Sequence, residues 1–149
     1  MNEYGITDAL LAEHRSRVKQ TRRSIRMVMS VLDEDETSMM LGYPQYYLQV
    51  SFSLCHPLMV VSLARMLENS GSSQQLEKVN ELNLHSVLGC HAVNRELGCY
   101  TYRVTQWLDT GLDSARFLEI LGRCSEEADK GFFQILRLGV ADCQTDSCN

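Results

Sequence analysis

A chain of 149 residues, 44% hydrophobic and 22% charged, is the size of one globular domain and long enough to bury a core. Its formal charge of −5 is uneven: Arg15, Arg17, Lys19, Arg22, Arg23 and Arg26 lie close together, which leaves 8 basic against 19 acidic residues elsewhere, a balance of −11. An acidic body argues against nucleic acid as partner, since phosphate contacts need a positive surface; the longest apolar run, Leu58–Leu67, is interrupted by Ser62 and Arg65 and falls far short of the roughly 20 residues of a membrane-spanning helix.

Residues 1–20 lack the apolar centre of a secretory leader, so a cytoplasmic location is expected. The six cysteines are then expected to be thiols. Cys55, Cys90, Cys99 and Cys124 sit in or beside apolar runs, while Cys143 and Cys148 fall in a polar end and are expected to be exposed.

In chain order, Ile6, Leu10, Leu11, His14 and Val18 recur at helical spacing, with Thr7 or Asp8 as N-cap and a possible Glu13–Arg17 pair. Residues 24–32 fit either a strand or a helix; a break near Arg22-Arg23-Ser24 favours a strand. The acidic run Asp33–Glu36 predicts a loop or hairpin tip. Tyr46, Leu48, Val50, Phe52 and Leu54 alternate with Tyr47, Gln49, Ser51, Ser53 and Cys55, a period of two that marks a strand between turns at Gly42-Tyr43-Pro44 and His56-Pro57. Leu58–Met66 predicts a further, central strand. Asn69–Ser73 reads as a turn that caps a helix carrying Leu76, Val79, Asn80, Leu82 and Asn83. Leu88–Asn94 and Cys99–Leu108 are the last two strands, joined by Arg95–Gly98, their register open. Asp113 caps a final helix with the stripe Phe117, Ile120, Leu121, Cys124, Ala128, Phe132 and Ile135. Residues 1–138 therefore form a single domain, and 139–149, without periodicity, are expected to be a disordered tail.

The element order α-β-β-β-α-β-β-α and three stretches of text resemble the YbjN family and, more distantly, type III secretion chaperones. The stretches are Leu76-Glu77-Lys78-Val79-Asn80-Glu81-Leu82-Asn83, similar to the family's VNxLN helix; the strand pair Gly89–Asn94 and Tyr100–Trp107; and the helix text Leu112–Asp129. The N-terminal half matches only in element order. The resemblance implies an α+β fold, an antiparallel sheet of about five strands with three helices packed on it. It also implies a non-enzymatic protein-binding or regulatory role, often in a homodimer.

No pattern of residues marks a reaction. Cys55-His56 and Cys90-His91 have the residue types of a zinc site, but neighbours on a strand point to opposite faces and no CxxC spacing supports them. The same geometry opposes a Cys–His nucleophile. No metal and no cofactor are expected, although thiol chemistry at Cys99 or Cys124 is kept as a rival reading. The Arg15–Arg26 segment suits an acidic peptide or an anionic lipid, or else a solvated helix end neutralised by Asp33–Glu36. The candidate interface is the set Tyr46, Leu48, Val50, Phe52, Tyr100 and Tyr102, with core as the competing assignment for each, and Asn80 and Asn83 on one helix face, with sheet-edge hydrogen bonding as theirs. The expected partner is another protein, a dedicated secretion effector or a second copy.

Overall fold

Leu11, His14, Val18, Thr21 and Ile25 follow one another at steps of three and four, and this stripe carries the first helix, α1, from Asp8 to Val28. The computed structural model describes residues 2–69 and 71–147, with side chains through residue 139. Thr7 is the N-cap, its hydroxyl accepting the Leu10 N–H at 3.2 Å. The strand expected over 24–32 is therefore corrected over most of its length: Thr21 and Ile25 are fully buried, so the apolar stripe keeps the chain helical through Val28.

Six strands follow where about five were expected: β1 (Val31–Glu34), β2 (Ser38–Leu41), β3 (Tyr47–Phe52), β4 (Leu58–Met66), β5 (Gly89–Asn94) and β6 (Cys99–Trp107). The sheet is antiparallel throughout in the order β1-β2-β3-β4-β6-β5. The acidic run is the tip of the β1–β2 hairpin. Asp35 closes it with one carboxylate oxygen, which accepts the N–H groups of Thr37 at 2.9 Å and Ser38 at 2.8 Å. Those two backbone donors, with the Ser38 hydroxyl, hold the Asp35 carboxyl below its ordinary range.

Helix α2 (Ser73–His85) lies between β4 and β5, and α3 (Ser114–Ser147) follows β6. Ser72 and Gln75 form a reciprocal capping box at the start of α2, and Asp113 accepts the Arg116 N–H at 2.7 Å at the start of α3. The helix backbone of α3 runs to Ser147, past 139, where a tail was expected; 139–147 hold no proline. Cys148 lies outside the described residues, and Cys143 outside those with described side chains.

The register decides which residues make the core. Leu41, Leu48, Leu63, Tyr102 and His91 face one another across five strands, and so do Met39, Val50, Val61 and Val104 across four. All are buried, beneath the stripe of α3 from Phe117 to Ile135 and beneath Ile25 of α1. Gly131 allows the close crossing of α3 over the sheet; a Cβ there would fall 2.6 Å from both His91 Nδ1 and the Tyr100 hydroxyl. The opposite face carries Tyr47, Gln49, Ser62, Ala64, Met66, Arg103 and Trp107, half-buried to exposed. Among the described residues no helix covers it.

Candidate protein-binding surfaces

The covered face holds most of the candidate interface. Leu48 and Val50 are fully buried, Phe52 and Tyr46 nearly so, and Tyr100 and Tyr102 are at most 1% exposed. These six are corrected to core, since their face of the sheet is the one the helices cover; of them, Phe52 and Tyr102 also line two grooves. Their polar atoms serve the interior. The Tyr46 hydroxyl donates to Asp129 at 2.5 Å, and burial, reinforced by that carboxylate, pushes its phenol well above the usual range. Tyr100 shares a 2.7 Å hydrogen bond with His91 Nδ1, and burial lowers the pKa of that imidazole. Arg65, on the same face, stacks its guanidinium on Phe132 at 4.0 Å and on Phe133 at 5.3 Å.

Asn80 and Asn83 do not act together. Asn80 is exposed, whereas Asn83 bonds the backbone of β5: it accepts the His91 N–H at 2.8 Å and donates to the His91 carbonyl at 2.9 Å. β5 is an edge strand, so Asn83 occupies the backbone groups that would otherwise pair with another chain.

The thiols are spread through the fold. Cys90 is exposed on the open sheet face while its neighbour His91 is buried on the other; Cys99 and Cys124 are buried. Burial pushes the Cys124 thiol up to about 11, the reverse of what an activated nucleophile needs. Among the described residues no three of His, Cys, Asp and Glu converge as a metal site. None of the described helices is long and apolar enough to cross a membrane.

Besides the open sheet face, two grooved surfaces stand out among the described residues. One is the groove along α1, where Arg22 and Arg26 both engage the Glu34 carboxylate and Arg22 also donates to the carbonyls of Asp35 and Glu36. The Arg26 guanidinium, with Arg22 beside it, holds the Glu34 carboxyl below its usual range. The other lies at the end of the sheet where β5 begins and β6 finishes. There Leu84 is 74% exposed, Val87 94% and Leu88 60%. Beside them a groove of about 340 Å³ opens, floored by Tyr102, Val104 and Ile120, flanked by Leu88 and fringed by Arg116 and Arg123. Gly89 shapes it: a Cβ at this position would meet the Tyr102 ring at 2.4 Å, so glycine lets that ring lie across the strand. The local signal in the sequence is Leu84 in the last turn of α2 and Val87 and Leu88 in the short connection after it, large apolar residues where polar ones are usual.

No protein-family model matches the chain, and no curated protein matches it by sequence. Solved structures do match it in shape. YbjN from E. coli, a candidate transcription regulator, superposes with a TM-score of 0.60 over 84% of this chain and 93% of its own, at 12% identity. The fold is the YbjN fold. A chain from the HopA1–SchA chaperone–effector complex gives 0.55 over 89% and 99%, at 11% identity. The YbjN-like, chaperone-like α+β architecture is thus present over nearly the whole domain, from the N-terminal half that had matched only in element order through α3.

Proposed function

We propose that this chain works by non-covalent protein binding, making and breaking no bond, and that it pairs with a second copy through the apolar end of its sheet. One observation carries the reading: Leu84, Val87 and Leu88 are exposed at the end of α2 and the start of β5, and Leu88 borders a groove that Tyr102, Val104 and Ile120 line with apolar surface between Gln106, Arg116 and Arg123. A surface that bears both a projection and a hollow is complementary to itself, as a two-fold interface requires. Large apolar side chains held in water beside such a hollow gain by mutual burial, on the order of 25 cal/mol per Å². The fold is compatible with this role, since structures of the same shape include a candidate regulator and a component of a chaperone–effector complex. The rival thiol reading finds no support at Cys124, whose pKa is raised.

Light scattering on the purified chain tests the pairing. The unaltered protein is expected to have the mass of a dimer at micromolar concentration, and V87E and L88E that of a monomer with unchanged circular dichroism. Val87 is almost wholly exposed, so its replacement does not touch the core. A monomeric parent, or variants that still pair, would overturn the proposal.

A further inference from the structure

Arg15, Lys19, Arg22 and Arg26 stand at steps of four, three and four, so they form a single stripe along α1. A groove of about 420 Å³ runs between this stripe and the β1–β2 hairpin, with Val18, Phe52 and Leu54 as its apolar lining. Its two ends differ. At one, the protein's own acidic hairpin is seated: Arg22 binds Glu34 at 2.6 Å and the carbonyls of Asp35 and Glu36 at 3.0 and 2.8 Å, and its guanidinium lies 4.9 Å from the Phe52 ring centre. At the other, Arg15 and Lys19 are exposed and make no ion pair among the described residues. His14 lines this groove too, 4% exposed. Its Nε2 lies 2.6 Å from the Ser53 carbonyl, which can only accept, so Nε2 carries the proton. Its Nδ1 is buried without a partner.

We infer that this groove binds an acidic segment of a partner polypeptide. The chemistry needed is mixed: carboxylates for Arg15 and Lys19, and an apolar side chain for Val18 and Leu54. An acidic peptide supplies both, with several carboxylates spaced along a backbone and apolar side chains between them, which neither a free phosphate nor a single fatty-acid carboxylate offers. The molecule already shows the recognition at the filled end, where arginine side chains hold an acidic stretch by its carboxylate and its backbone carbonyls. The free end from Arg15 to Lys19 spans about 6 Å at 1.5 Å per residue, the length of about two extended residues. The net negative charge of the remaining chain concentrates anion attraction on this one groove.

The inference is independent of the pairing surface, and the experiment separates the two. Fluorescence anisotropy of a labelled peptide alternating Glu and Leu is measured on the full-length chain, on R15E/K19E and on V87E. A peptide with Gln in place of Glu and vesicles containing phosphatidylserine serve as competitors. The expected result is saturable binding that weakens at least tenfold in R15E/K19E, is unchanged in V87E, falls with added salt, and is displaced by neither competitor. Arg15 and Lys19 are exposed, so their variant keeps the fold. Absence of binding, equal binding by R15E/K19E, displacement by the Gln peptide, or displacement by the vesicles would each overturn the inference, the last by assigning the groove to a membrane surface.

Discussion

Asn83 does for β5 what a neighbouring strand would do, with one amide satisfying both backbone groups of His91. Replacing it by alanine strands those groups at the edge, at an expected cost of about 1–3 kcal/mol. Thermal unfolding of N83A measures the loss, and hydrogen exchange at the His91 amide should rise with it. The sequence showed two asparagines on one helix and raised sheet-edge bonding as one of their uses; which of them meets an edge depends on where α2 lies beside β5, a long-range fact no local pattern carries. The same limit explains Tyr46, Leu48, Val50 and Phe52. Their alternation identified a strand face, yet whether that face is covered depends on helices far along the chain. Arg65 was equally hidden, because a cation among Tyr46, Phe132 and Phe133 has no sequence signature.

At the scale of elements, Gln75 ties three segments together. Its carbonyl oxygen accepts the N–H groups of Gly71 at 2.7 Å and Ser72 at 3.3 Å, and its amide donates to Asn69 at 2.9 Å and to Ile135 of α3 at 3.1 Å. A fully buried amide with every contact filled is stabilising only as a complete set. Q75L should therefore destabilise by about 2 kcal/mol or more and fray the first turn of α2, read as faster exchange at Gly71 and Leu76 in denaturant titrations followed by hydrogen exchange. Elements with strong periodicity were legible beforehand: the α3 stripe, the alternation of β3 and the pairing of β5 with β6. The β1 strand was not, being four residues long and exposed along most of its length, with its only local sign in the Asp35 turn. The end of α1 was misjudged because its basic side chains hid the continuing stripe of Thr21 and Ile25.

Across the whole molecule, the buried tyrosines set an alkaline limit. Burial raises Tyr102 from 10.0 to about 12 and places Tyr46 and Tyr100 higher still. A group whose folded pKa is raised adds stability that is intact below its unfolded value and drains away as pH climbs through the folded one. Stability should thus hold to about pH 9, begin to fall above it through Cys124, raised from 9.0 to about 11, and fall more steeply between 10 and 12 through the tyrosines, where Y102F should flatten the loss; tyrosinate absorbance and circular dichroism followed together check it. The central claim concerns the apolar end of the sheet, where Leu84, Val87 and Leu88 meet the groove over Tyr102 and Val104. Hydrogen exchange of the unaltered chain, recorded over a series of protein concentrations, tests it most directly. Protection of 84–88 and 104–107 that grows with concentration, while the open face around Thr101 stays unchanged, is the predicted result; exchange at 84–88 that is the same at every concentration would contradict it.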